Sequence, residues 1–133
     1  MNIKIDTALL DSLTEQAKAA PRLRMNLDLR TSDADTSQRM LNAIEPGSVV
    51  PIHRHKKTSE TVVVLRGRVV EEFYDDLGAL EDACEVSTGG EVCALNIPQG
   101  KWHTLKALES GTVILEMKDG GYEPIAEDDI MQK

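Results

Sequence analysis

The sequence predicts an all-β domain of sandwich or barrel type, entered through one short N-terminal helix. Three observations carry this. After Pro21 the chain breaks into short runs rich in β-branched residues, such as Thr61–Leu65 and Val69–Tyr74. Turn signals punctuate these runs at close spacing, among them Glu45-Pro46-Gly47, Asp75-Asp76-Leu77-Gly78 and Thr88-Gly89-Gly90. The 133 residues suffice for one core and are too few for two ordinary domains.

The helix is expected over Asp6–Ala20. Asp6 or Thr7 can cap it, Leu9, Leu10, Leu13, Ala17 and Ala20 share one side, and Pro21 stops it. Its apolar stripe covers a sheet face or a partner subunit. Strands are expected over Leu23–Leu29, Gln38–Ile44, Thr61–Leu65, Val69–Tyr74, Ala83–Ser87, Glu91–Ile97 and Thr112–Met117. Residues 31–36 read as a loop. Ala83–Ser87 and Glu91–Ile97 flank Thr88-Gly89-Gly90 as a hairpin, which would make Cys84 and Cys93 cross-strand neighbours. The chain thus divides into a helical segment (1–21), a β-barrel (22–125) and an acidic surface tail (126–133), all within a single domain, 1–133.

A net charge of -8 argues against nucleic acid as a partner, because phosphate binding needs a basic face. No stretch approaches the ~20 apolar residues that span a bilayer, so no membrane is expected. Met1–Asp6 shows no apolar run after Lys4, and two cysteines make no disulfide framework. A cytoplasmic location with free thiols is the expectation.

The chemistry concentrates in two stretches. The first is Gly47–Gly67, with His53, His55 and Glu60; the second is Pro98-Gln99-Gly100-Lys101-Trp102-His103. Side chains alternate along a strand, so His53 and His55 point one way and Arg54 the other. Glu60 can open the adjacent strand, and His103 completes the set from a distant one. Imidazole nitrogen with a carboxylate suits one divalent transition metal ion: Fe, Mn, Zn or Ni. The competing view is three unrelated core or surface histidines. It leaves unexplained why all three histidines of the chain fall in two Gly/Pro-marked stretches.

These residues carry a resemblance. Gly47-x5-His53-x-His55-x4-Glu60-x6-Gly67 matches the first motif of the cupin superfamily, and Pro98-x-Gly100-x2-His103 the core of the second. The resemblance implies a single-domain double-stranded β-helix, the jelly-roll barrel, with His53, His55, Glu60 and His103 as metal ligands. Two departures concern turns and packing: Gly90 stands further from Pro98 than the motif places its glycine, and Ala107 replaces the usual Asn. A closer resemblance is to bacterial WbuC-type cupin metalloproteins. It rests on Pro21-Arg22-Leu23-Arg24, Gln38–Ala43, Pro51–His55, Trp102-His103-Thr104 and Gly120-Gly121-Tyr122-Glu123-Pro124. That family typically has a histidine where this chain reads Asn26–Arg30. Its members are similar to proteins found with surface-polysaccharide genes.

Among other residues, Arg24 and Arg39 are candidates to hold an anionic substrate group, Arg39 foremost because its segment leads into the metal motif. Trp102 should face away from the site and pack, and Tyr122 is assigned to tail packing. No P-loop, dinucleotide fingerprint or serine nucleophile motif is present. The expected function is a metalloenzyme acting on a small polar or carbohydrate-like substrate, with isomerase or epimerase chemistry and Glu60 as a possible proton carrier. The alternatives are a non-catalytic, metal-dependent sugar- or small-ligand-binding module and an Fe-dependent dioxygenase. Cupins of this size usually pair, so a homodimer is expected.

Overall fold

The computed structural model of the protein describes residues 2–132. Helix α1 spans Thr7–Ala19, with the Asp6 carboxylate accepting from the Leu9 N–H at 3.0 Å. It ends where Ala20 turns extended and its N–H bonds the Ala17 carbonyl. No described helix is long and apolar enough to cross a membrane.

Eight strands follow: β1 (Arg24–Asp28), β2 (Arg39–Ile44), β3 (Glu60–Arg66), β4 (Arg68–Tyr74), β5 (Leu80–Ser87), β6 (Ala94–Ile97), β7 (Trp102–Ala107) and β8 (Thr112–Lys118). They form a five-stranded sheet, β1-β2-β8-β3-β6, and a three-stranded sheet, β5-β4-β7. The sheets face each other. Ile44, Val62, Val64, Ile97 and Ile114 of the first meet Val69, Val86, Leu105 and Ala107 of the second in one buried cluster. Neither sheet closes on itself, so the expected barrel appears as two facing sheets.

Alternation along β2 and β8 feeds two cores at once. Leu41, Ala43 and Val113 point outward and are buried beneath Leu13 and Ala17 of α1, while Ile44 and Ile114 point inward. Each buried leucine, isoleucine or valine among them contributes roughly 1.5–3 kcal/mol. The helix therefore covers the outer face of the larger sheet. The apolar stripe that gave a reason to expect a homodimer is buried within the chain.

The expected hairpin across Thr88-Gly89-Gly90 is corrected. β5 pairs with β4 and β6 with β3, in different sheets. The turn carries the chain from one layer to the other, held by Ser87 N–H to the Val92 carbonyl and Val64 N–H to the Cys93 carbonyl. Cys84 and Cys93 are consequently not cross-strand neighbours; both are free thiols. The strand at Trp102–Ala107 was missing from the expected set.

The tail is also corrected. Residues 121–128 are exposed, but Asp129 is buried at the end of a short 3-10 helix, Glu127–Asp129, and Ile130 forms a bridge with His53. The tail is therefore stitched onto the histidine stretch.

Two positions expose the constraints of this packing. Gly67 turns β3 into β4 at φ +84°, and a Cβ there would lie 2.8 Å from Thr112 Cα. Gly67→Ala is expected to lower stability by about 2–3 kcal/mol in urea unfolding, through left-handed strain plus overpacking. Glu71 on β4 is fully buried, and neither carboxylate oxygen has a hydrogen-bond partner among the described residues. Burial, with the charges of Glu60, Glu116 and Glu72, pushes its pKa up from 4.5 to about 9. Between those values the folded chain holds a proton that the unfolded chain releases, so stability falls as pH rises through that window. At pH 7 the cost reaches up to about 3 kcal/mol. Glu71→Gln should remove it, raising the urea midpoint above the parent's at pH 7 and much less at pH 5. The same difference at both pH values would contradict a neutral Glu71.

Candidate metal centre

His53 and His55 lie in the irregular stretch between β2 and β3, not in a full strand. The extended backbone is nevertheless held locally: the N–H of His53 donates to the His103 carbonyl at 3.0 Å, and that of His103 to the His53 carbonyl at 2.9 Å. This one bridge joins two stretches 50 residues apart in sequence. Both histidine rings are then oriented by their own backbone. His53 Nδ1 donates to the Pro51 carbonyl and His103 Nδ1 to the Lys101 carbonyl, each at 2.8 Å. A carbonyl only accepts, so Nδ1 carries a proton, and in the neutral ring Nε2 is the nitrogen that would serve as a ligand.

The three rings converge. One ligating nitrogen from each of His53, His55 and His103 lies within 4.8 Å of the others. Glu60, at the first position of β3, joins them: its Oε2 is 3.1 Å from His55 Nε2 and 3.6 Å from His103 Nε2. The approach to His103 is too long for a hydrogen bond, and Glu60 Oε2 and His103 Nε2 are buried without a hydrogen-bond partner among the described residues. Buried polar atoms are ordinarily satisfied, and leaving them bare costs about 1–3 kcal/mol each. A cation at the convergence point would satisfy both. The three imidazoles suit a divalent transition metal ion, and the Glu60 carboxylate stands beside two of them.

The electrostatics favour the same state. Burial opposes ionisation of Glu60, but the pairing with His103 and then His55 outweighs it and holds the carboxyl well below the usual range. Burial, then the nearby His103, pushes His53 down to about 4. At neutral pH the site thus offers a carboxylate and an unprotonated His53, the forms that bind metal.

The outward layer braces this cluster. Arg54, between the two ligand-like histidines, stacks its guanidinium 4.4 Å from the Trp102 ring and donates Nε–H to Asp129 Oδ1 at 2.9 Å. Trp102 faces away from His103, as alternation requires, and its Nε1–H reaches Asp76. Tyr122 lies exposed with Arg30 over its ring.

The cluster opens on a chamber of about 210 Å³. Arg24 lines it and donates from Nη1 to the Val49 carbonyl at 2.8 Å. Arg39 does not. It has the parity of Leu41 and Ala43, away from Asn42 and Ile44 that line the chamber, and its guanidinium is spent on Asp35 and the Leu29 and Ser37 carbonyls. The reading of Arg39 as the inward arginine is therefore corrected.

Sequence reasoning missed Glu116 and Lys118, which line the chamber from β8. Their two-residue spacing from Ile114 was available as a signal, but the expected strand stopped at Met117. Asn42 Nδ2 donates to Glu116 Oε1 at 3.0 Å. Burial, reinforced by the charge of Glu60, pushes Glu116 up to about 7.

The likeness to solved structures lies in the fold. The chain aligns with KdgF from Halomonas sp. at 15% identity and TM-score 0.61, covering 78% of this chain and 84% of that one. It aligns with oxalate oxidase in complex with glycolate at 17% identity and TM-score 0.63, covering 82% of this chain and 57% of that one. A mutant of Bacillus subtilis oxalate decarboxylase OxdC gives 22% identity and TM-score 0.59, with 76% and 26% covered. The chain thus spans little more than half of the oxidase and about a quarter of the decarboxylase. These are cupin-fold proteins, and the likeness places this chain on the cupin fold. No curated protein sequence matches it. Residues 5–86 match the family described as "Domain of unknown function (DUF6016)", a span that holds His53, His55 and Glu60 and stops short of His103. With more than half of its length matched, this cupin-fold chain belongs to the DUF6016 family.

Proposed function

We propose that this protein is a metal-dependent cupin enzyme. One divalent transition metal ion is held by His53, His55, Glu60 and His103, and the substrate is small and polar or carbohydrate-like. The carrying observation is the convergence of three imidazole nitrogens within 4.8 Å, beside a buried carboxylate oxygen that lacks a hydrogen-bond partner. The resemblance to WbuC-type proteins supports a link to surface-polysaccharide biosynthesis, and the usual pairing of cupins of this size supports a homodimer. The glycolate complex of the oxidase neighbour supports a small oxygen-bearing ligand.

When bound, the ion supplies Lewis-acid polarisation of a carbonyl or hydroxyl oxygen. The chain's own residues do the rest. Glu60, ionised and turned toward the histidines, acts as a ligand rather than a free base. Glu116 lines the chamber and exchanges its proton near pH 7, which suits it to carry a proton on and off a substrate carbon or oxygen. Arg24 faces the same chamber and orients a polar or anionic substituent. This division favours isomerase or epimerase chemistry.

Protein purified without chelator should carry one transition metal ion per chain by elemental analysis. His53→Ala and His103→Ala should each lose it, while the parent's melting temperature falls on the order of 10 °C when metal is stripped. No metal in the parent would end the metal reading. Metal retention with no turnover on a panel of sugars and nucleotide sugars would leave a binding module.

A further inference from the structure

The chamber at the histidines does not stand alone. A second cavity, about 370 Å³, adjoins it and shares His55, Lys118 and Ile125 with it. Its wall carries Arg54, Lys56, Lys57 and Lys118 against two carboxylates, Glu123 and Asp129. A local surplus of positive charge is unusual in a chain of net charge -8.

The pairing pattern makes the surplus specific. Among the described residues most lysines and arginines have a carboxylate ion-pair partner. Lys56 pairs with Asp129 and Lys57 with Glu123, so the tail already satisfies the outer cations. Four have no carboxylate within ion-pair distance: Lys4, Arg22, Arg24 and Lys118, although the charge of Lys118 is felt by Glu60 and Glu116 and that of Glu116 by Arg24. Arg24 and Lys118 are the two of these that line the inner chamber, and Lys118 alone among the four also lines the outer one.

We infer that the ligand is an anion whose carboxylate or phosphate seats on Lys118 at the junction of the two chambers, its polar remainder reaching the histidine cluster and Arg24. The inference rests on the proposed ligand site at His53, His55, Glu60 and His103. An inner chamber of about 210 Å³ lies below the usual size of drug-sized ligand pockets, so a ligand larger than a small acid extends into the outer one. Lys118 stands where the two halves meet. Partly buried, it is screened less by salt than a surface lysine, and a charge-assisted hydrogen bond there is correspondingly strong.

The test uses the metal-loaded full chain and calorimetric titration with glycolate, glucuronate, inorganic phosphate and glucose. At least one anion should bind more tightly than neutral glucose, and phosphate against the two carboxylates tells which anionic group the site prefers. Lys118→Met should weaken that anion by about tenfold or more and leave glucose unchanged. Lys118→Arg should restore most of the loss, which separates loss of charge from misfolding. Equal binding of glucose and every anion, no anion binding, or unaltered anion affinity in Lys118→Met would each overturn the inference. Metal content and turnover are scored separately. Absent turnover with Lys118-dependent anion binding defeats only the enzyme reading, and absent metal with such binding defeats only the metal.

Discussion

The pair of backbone hydrogen bonds between His53 and His103 is the constraint on which the rest depends. His53 belongs to no named strand, so ladder pairing does not hold it. The bridge supplies the missing ladder at one point and fixes the register in which two distant stretches meet. A slip of one residue would turn His53 and His55 outward and bring Arg54 in. The same backbone then aims the rings, since each Nδ1–H is taken by the carbonyl two residues earlier. Position and orientation of these two histidines thus come from main-chain geometry and need no neighbouring side chain.

What surrounds the bridge is an interior that carries more charge than a sandwich core normally tolerates. Glu60, Glu71 and Glu116 all lie within the reach of one another's fields. Three carboxyls in low dielectric cannot all ionise cheaply. They resolve the conflict differently. Glu60 ionises against the histidines, Glu71 has no hydrogen-bond partner among the described residues and is pushed toward its neutral form, and Glu116 is caught between burial and its Asn42 hydrogen bond. Positive charge at the convergence point would offset the repulsion felt by all three. The interior thus carries three buried carboxyls, each settled in its own way.

Much of the site was legible in the sequence because it is written in short-range spacing. Two histidines one residue apart share a face whatever strand or extended loop they occupy, and Glu60 did open β3 as expected. The helix was legible for a like reason: cap, apolar spacing and proline are all local. What could not be read locally was pairing between distant segments. Thr88-Gly89-Gly90 has hairpin chemistry, yet it crosses between sheets because β4 and β3 already hold the partners that β5 and β6 need. Arg39 misled because nearness in sequence to the motif says nothing about parity, and parity put it outside. Lys118 was missed by a single position at a strand end, where boundaries are least well defined.

The C-terminal segment shows why the site is more than its motif. Asp129 receives Arg54 and Lys56, and Glu123 receives Lys57, so the tail's acids neutralise the basic loop that carries His55. Without them that loop would gather its cations beside the histidine cluster, where they would repel one another and any bound cation. With them the loop is drawn against Trp102, the neighbour of His103, through the Arg54 stack. Tail, loop and β7 therefore form one brace behind the ligands. The brace is assembled largely outside residues 5–86, the span matched by the family. A chain sharing only that span would keep His53, His55 and Glu60 yet lack the bridge to His103, Glu116 and Lys118, and the wall that makes two chambers of one cleft.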